Sequence, residues 1–589
     1  MTEYRGGAFM FEPAGMRKIF IPEYFTEEQR MMAKTAEDFM LKDVVPLGEE
    51  IDEMKEGLLP GLIKKAAELG LCMIDIPEKY DGLEQDKATS MLVAEKLALN
   101  GTFSCALGAH TGIGTLPIVF FGNEEQKKKF LPLLGAAEKI SAYALTEPTA
   151  GSDAMSIKTK AVLSGDGRHY VLNGTKQFIT NAGFADMFIV YAKVDGEKFT
   201  GFIVDRNSEG LSVGPEEKKM GIKGSSTTQV IFENVKVPVE NVLYDIGKGH
   251  KIAFNILNIG RFKLGIGAIG GAKNVLIQAV KYGNQREQFN TPLTRFGAIG
   301  EKIAKVACRI YAGESMSYRV AGLMDEAIAR IDKTTDDAQQ RVIEAIEEYA
   351  VEDSIIKVYG SECLDFAADE AVQIHGGYGF TAEYPAEKAY RDSRINRIFE
   401  GTNEINRMLI PGTILKRGMK GSLPVMDYSA RVMKELATGE IEAGDGGPLA
   451  GAVRACNLAK KAAMYASGAA IQKYMANIQK EQELLMMMAD MMMASFAMDS
   501  VLCRVLQLME ERGAEKCAVQ ADVAGCVVAD CADQIAVLGR RLLNAAEEGD
   551  RLAKHLEAFN RGVPHFDFNV VAAFRRIAGK IVEDEKFSL

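Results

Sequence analysis

KTKAVLSGDGRHYVLNGTKQFIT, residues 158–180, is the stretch on which the fold class turns. Apolar and polar residues alternate along it with period two, and the Gly-Asp-Gly and Asn-Gly groups mark tight turns, so it reads as paired strands. MFIVYAKVDG (187–196), FTGFIVD (199–205) and TTQVIFENVKV (227–237) continue the pattern. Residues 141–245 are therefore expected to form an antiparallel sheet domain. Both flanks change period. TEEQRMMAKTAEDFMLKDVV (26–45) offers Thr26 as an N-cap with Gln29 three residues on, a capping box ahead of apolar residues at helical spacing. FNILNIGRFKLGIGAIGGAKNVL (254–276) and QRVIEAIEEYAVEDSIIKVYGSECLDFAADEAVQI (340–374) are helical as well.

The expected class is α+β: a helical domain at 25–140, the sheet domain at 141–245, a helical bundle at 246–416 and a helical extension at 425–589. A Gly/Ser/Pro-rich break, KRGMKGSLPVMDYS (416–429), separates the last two. Within the extension, RRLLNAAEEGDRLAKHLEAF (540–559) reads as one bundle helix with charges on its wet face. The run LLMMMADMMMASFAM (484–498) is interrupted by Asp490, too short and too charged to span a bilayer. Positions 484, 488, 491, 498 and 502 recur at helical spacing, which predicts a core stripe; weak membrane association is the second expectation for this region.

The chain has 589 residues, 47% hydrophobic and 26% charged, with a net charge of −11. That balance supplies several cores and no basic field for a phosphate backbone, so nucleic acid is excluded as an expected partner. Nine cysteines without a CxxC pair read as reduced thiols, and no metal is expected. The opening residues show neither an apolar signal core nor an Arg/Ser-rich presequence, so the expected location is cytoplasmic.

Five segments carry candidate chemistry. YALTEPTAGSD (143–153) presents Thr146 and Ser152 on a Pro/Gly loop, and NGTKQFITNAG (173–183) places Phe178 and Thr180 on one strand face across Ile179. The small residues at 260, 265, 267, 268, 270, 271 and 272 suit either tight helix packing or close approach of a ligand. Arg286 in QREQFNTPLTRF is a planar phosphate donor, and Gly376-Gly377 in QIHGGYGF permits main-chain approach. Beside them, His375 reads as a structural hydrogen-bonder. In RIFEGTNEIN (397–406), Glu400 follows Ile398 and Phe399, where a dry setting raises a carboxylate's proton affinity. The competing reading makes Glu400 a salt-bridge partner of Arg394 or Arg397.

In order and spacing, YALTEPTAGSD, KQFITN, REQF, QIHGGYGF and YRDSRINRIFEGTNEI resemble the acyl-CoA dehydrogenase family over residues 25–416, and the extension resembles its very-long-chain branch. The resemblance implies FAD held by Tyr143, Thr146, Ser152, Phe178, Ile179, Thr180, Arg286, Phe296, Gln373, Gly376, Gly377, Thr402, Asn403 and Glu404. It implies an acyl thioester beside Ser152, Asn258, Arg261 and Gly401, with Glu400 as catalytic base. Gly260 stands where a few members carry the base instead, and Asn290 stands where relatives commonly have Gly. Further implications are oxidation of a fatty acyl-CoA, with long chains favoured, to a trans-2-enoyl-CoA in fatty acid β-oxidation, electron-transfer flavoprotein as acceptor, and a homodimer or higher oligomer sharing FAD. An acyl-CoA oxidase and a non-catalytic assembly protein are the alternatives on this fold.

Overall fold

In the computed structural model, which describes residues 4–335, 337–441 and 447–589, the chain forms three helical layers and one sheet domain. Residues 442–446 of the expected extension lie outside the described residues. The first layer holds α1 (Glu27–Phe39), α2 (Leu58–Glu68), α3 (Lys87–Lys96), α4 (Gly101–Gly108) and α5 (Glu124–Gly135). The capping box at α1 forms as its sequence predicts: Gln29 N donates to Thr26 Oγ1 at 3.2 Å, and Thr26 N donates to Gln29 Oε1 at 3.0 Å.

Eight strands follow: β1 (Ser141–Ala144), β2 (Lys160–Leu163), β3 (His169–Thr180), β4 (Met187–Val194), β5 (Lys198–Asp205), β6 (Leu211–Val213), β7 (Thr227–Pro238) and β8 (Val242–Leu243). They pair in the order β6-β7-β3-β2-β4-β5-β8, with β1 alongside β4. The sheet is mixed rather than purely antiparallel, because β4 takes both β1 and β2 in parallel. Period-two alternation specifies strands but not their direction, which depends on connections the pattern does not encode.

The bundle is built on α6 (Gly249–Gln285), α7 (Gly297–Ala329) and α8 (Ala350–His375), closed by α9 (Asn403–Met419). Glycines set how closely these helices approach. A Cβ on Gly265 would stand 2.6 Å from the Ile356 carbonyl of α8, and one on Gly270 would stand 2.3 Å from the Glu95 carbonyl of α3.

The extension comprises α10 (Val425–Thr438), α11 (Ala450–Tyr474), α12 (Gln482–Arg512), α13 (Ala518–Ala546), α14 (Gly549–Gly562) and α15 (Val570–Asp584). The single helix expected over 540–559 is two: α13 stops at Ala546, and Gly549 enters α14 at φ +55, a left-handed conformation that breaks the run. The 484, 488, 491, 498 and 502 side chains are buried, as a core stripe requires. Full burial of an aliphatic side chain of this size contributes about 1.5–3 kcal/mol. Among the described residues three helical stretches, Gly101–Phe121, Gly249–Gln285 and Gln482–Arg512, are long and apolar enough to cross a membrane; their apolar windows are 72%, 61% and 83% buried within the protein. The last of these is longer than the 484–498 run suggests, because it continues through SVLCRVLQLMEER.

Residues 4–24 form a strap that the sequence does not announce. Phe9 meets Phe496 at 4.7 Å, Gly15 N donates to Asp499 Oδ1 at 3.0 Å, and Ile19 N donates to Gln507 Oε1 at 2.7 Å. At its other end Tyr4 OH donates to Glu352 Oε1 at 3.2 Å, so the strap laces α8 to the extension.

Candidate active site

Residues 397–402 turn sharply between helices, and the turn is made by two consecutive left-handed residues, Glu400 at φ +59 and Gly401 at φ +79. Such a conformation costs a non-glycine residue about 1 kcal/mol or more and persists only where neighbours over-determine it. Here they do. Arg261 Nε donates to the Glu400 carbonyl at 3.2 Å, Lys357 Nζ donates to the Gly401 carbonyl at 2.8 Å, and Asn406 Nδ2 donates to the same carbonyl at 2.9 Å. Thr402 then caps α9, its Oγ1 accepting from Ile405 N at 3.3 Å.

The turn aims the Glu400 carboxylate into a cavity of about 240 Å³. Oε2 has no hydrogen-bond partner, and burial pushes the carboxyl up from its ordinary 4.5 to about 7, opposed by the nearby Arg261 and Lys357 charges. No ion pair joins it to Arg394 or Arg397: Arg397 pairs with Asp365 at 2.9 Å and Arg394 is exposed. A Cβ on Gly260 would lie 2.7 Å from Glu400 Oε2, so the glycine is what lets the carboxylate occupy this position.

Much of the cavity wall is apolar: Gly260, which abuts the acid, with Leu264, Gly267, Ala268 and Gly271 on α6, and Ala94, Leu107 and Ile113. Gly267 points a would-be side chain into open space, with nothing within 4 Å. Three further wall residues are charged, and each is paired: Lys263 reaches Asp75 at 2.6 Å, Asp75 also takes Lys87 at 2.9 Å, and Asp392 takes Lys388 at 3.3 Å. Both readings of the small-residue stretch hold, at different positions: Gly265 and Gly270 pack helices, whereas Gly260 and Gly267 line the cavity.

Thr180 also lines this cavity. The alternation used to place Phe178 beside it is interrupted: pairing of β3 with β7 slips between Lys176 and Ile179, and Phe178 takes φ +58 in the bulge. Phe178 is left 61% exposed beside the sheet, while Ile179 is buried in the sheet core and offers only its backbone to a ligand. The bulge is braced from behind by a buried ion pair, Lys176 to Glu147 at 2.8 Å, with Lys176 also donating to the Leu145 carbonyl at 3.1 Å. Gln177 N donates to the Thr146 carbonyl at 2.9 Å, so the 143–153 and 173–183 segments are held together. Tyr143 is buried with its hydroxyl unpartnered, within electrostatic reach of Glu400, and Ser152 is exposed on the loop.

A second cavity, about 570 Å³, collects Arg286, Gln373, Gly376, Gly377 and Tyr378. Arg286 lies 5.6 Å from the centre of the Tyr378 ring, leaving its fork free for an anion. Gly376 has φ +62, and neither glycine has any atom within 4 Å of a built Cβ, so backbone is presented to open space. His375 is structural: Nδ1 contacts the Ala371 carbonyl at 2.7 Å and the ring stacks on Tyr282 at 4.1 Å. Asn290 takes φ +57 in the hairpin turn where Gly is common, a conformation Asn tolerates. Phe296 precedes α7, its ring 6.3 Å from that of Phe289.

Two expected contacts differ. Asn258 is buried behind the turn, its Oδ1 accepting from Arg261 Nη1 at 2.9 Å, so it supports the arginine. Asn403 uses its side chain on Lys357, Ser361 and Glu362, leaving only its backbone for a cofactor. Glu404 is exposed on the first turn of α9. Lys357 is the residue missed; its signal was a lone cation inside the apolar run Ile355-Ile356-Lys357-Val358.

Family models for acyl-CoA dehydrogenase match in succession: the N-terminal domain over 26–138, the middle domain over 142–235, the C-terminal domain over 247–415, and a further C-terminal domain over 458–561. The sequence is 48% identical to a probable acyl-CoA dehydrogenase of Bacillus subtilis (strain 168), over 99% of this chain and 98% of that protein. It is 39% identical to the mitochondrial very long-chain specific acyl-CoA dehydrogenase of Macaca fascicularis, over 62% of this chain and 53% of that one. The crystal structure of an acyl-CoA dehydrogenase complexed with FAD from Bacillus anthracis superposes with a TM-score of 0.97 at 47% identity, covering all of both chains.

Proposed function

We propose, from the premise that this chain belongs to the acyl-CoA dehydrogenase family and is an FAD-dependent acyl-CoA dehydrogenase, that Glu400 takes the α-proton of a long-chain acyl-CoA. The carrying observation is the unpartnered Glu400 carboxylate facing an apolar cavity walled by glycines. The residues fit the cofactor: an arginine fork, two open glycine backbones and an exposed Phe178 share the second cavity and the sheet face. FAD, when bound, supplies the acceptor for the hydride leaving the β-carbon, and the product is a trans-2-enoyl-CoA.

The chain's own residues do the acid–base part. A carboxylate near pKa 7 is a far better base than one at 4.5, and dryness is what raises it. Arg261 and Lys357 hold the two turn carbonyls, which fixes Glu400 in its strained conformation without pairing its carboxylate. Gly260 leaves the space into which the carboxylate projects, and the Gly267 side of α6 leaves room for a long chain.

The working unit in this reading is a homodimer: Phe289 and Phe380, next in sequence to residues lining the Arg286 cavity, are 90% and 87% exposed and suit cover by a second copy. Electrons pass to an electron-transfer flavoprotein, and nine free cysteines suit a reducing cytoplasm. Anaerobic titration with acyl-CoAs from butyryl to stearoyl, following flavin absorbance, tests the reading: bleaching should be strongest with long chains. Flat response to all of them sinks it, and fast reoxidation of the reduced enzyme by air would favour an oxidase.

A further inference from the structure

We propose that Asp490, on α12 of the extension, is a positioning residue for the Glu400 turn; the inference rests on Glu400 being the base. An unbroken series of side-chain contacts joins the two. Asp490 Oδ1 accepts from Arg407 Nε at 2.7 Å, and Arg407 donates Nη1 and Nη2 to the two Glu362 oxygens at 2.7 and 2.9 Å. Glu362 Oε1 accepts from Asn403 Nδ2 at 3.0 Å, and Asn403 Oδ1 accepts from Lys357 Nζ at 2.7 Å. Lys357 then reaches the Gly401 carbonyl, one residue past Glu400.

Each link has little freedom. A guanidinium is planar, so fixing its Nε on Asp490 and its two terminal nitrogens on Glu362 fixes the fork completely. Glu362 in turn decides which way the Asn403 amide points, because an inverted amide would set NH₂ against the Lys357 ammonium. Lys357 is fully buried, with two acceptors, so the direction of its ammonium follows Asn403. This gives a reason for the acid that interrupts the methionine run: most of its helix neighbours bury in the core, while Asp490 turns to Arg407. The extension thereby reaches the catalytic turn through polar contacts rather than only covering the bundle.

The test uses holoenzyme and the rate of flavin bleaching by a long-chain acyl-CoA as a function of pH. Asp490→Asn should lower kcat on the order of 10-fold with little change in KM, and should move the midpoint of the pH profile upward as Lys357, an ammonium whose pKa burial itself lowers to about 7, loosens beside Glu400. Asp522→Asn is the control. It breaks a bidentate pair with Arg576 inside the extension, at 2.6 Å on both arms, and should lower thermal stability without moving the profile. Arg407→Gln has to shift the profile in the same direction, and the double variant should do no more than the larger single one. The proposal is overturned if Asp490→Asn follows wild type in rate and profile, or if Asp522→Asn moves the profile equally. Glu400→Gln in the same assay separates the two claims: if it keeps its rate the base assignment fails, whereas an inactive Glu400→Gln beside a wild-type-like Asp490→Asn removes only the coupling.

Discussion

Glu400 carries two liabilities at once, a left-handed backbone and an unpaired buried carboxylate, and both serve its basicity. Because burial raises the group from 4.5 to about 7, the base form accumulates only above that value. Activity should therefore rise with pH through about 7 and level off above it, checked by kcat/KM against pH. The stability sign is opposite. Below pH 4.5 the acid is neutral in folded and unfolded chains alike and carries no penalty; as pH rises through about 7 the unfolded chain ionises first and stability is lost. Glu400→Gln should accordingly stabilise the protein at pH 8, by about 2 kcal/mol once water in the cavity is allowed for, and by almost nothing at pH 4. Equal Tm values for the two proteins at pH 8 would contradict this. Glu400 was legible in the sequence through its apolar neighbours and the motif around it, but only Phe399 lines the cavity; Ile398 is 48% exposed, so the dry setting expected of both comes from Phe399 and the cavity walls. Lys357 was not legible, since a single lysine in a helix is ordinarily a surface residue, and only the meeting of α8 with the 401 carbonyl shows its use.

Element by element, α6 shows what the pattern could and could not specify. Its small residues were visible, but which of them pack and which face a ligand depends on which side of α6 meets α3 and α8. Gly267 faces open cavity, so Gly267→Leu should fold and shorten the accepted acyl chain, lowering kcat/KM for stearoyl-CoA by 10-fold or more while sparing butyryl-CoA. An unchanged chain-length profile would place the acyl chain elsewhere. The β3 bulge is the complementary case. Alternation located the strand, yet the extra residue at 178 is imposed by the Lys176–Glu147 pair and the 145–146 carbonyls behind it, contacts between segments that local periodicity does not record.

At the scale of the whole molecule, helix, sheet and helix blocks were readable from period alone, whereas the bonds between blocks were not. One buried network ties three of them and the strap: Lys273 on α6 meets Glu95 on α3 at 2.8 Å and Glu314 on α7, while Arg504 on α12 meets Glu314 at 2.6 Å and Glu23 of the strap at 2.8 Å. These residues lie far apart in sequence, and no motif links them. Arg504→Met should leave Glu23 without its arginine and Glu314 with Lys273 alone, lowering stability by about 3–5 kcal/mol, read as a fall in the urea midpoint. A midpoint within error of wild type would show the network to be dispensable. The central claim, that the Glu400 carboxylate is the base, is tested most directly by anaerobic single-turnover bleaching of the bound flavin with a long-chain acyl-CoA in wild type and Glu400→Gln. Glu400→Gln should keep FAD content and acyl-CoA affinity equal to wild type with bleaching slowed on the order of 10²–10⁴-fold; bleaching at the wild-type rate would rule out Glu400 as the base.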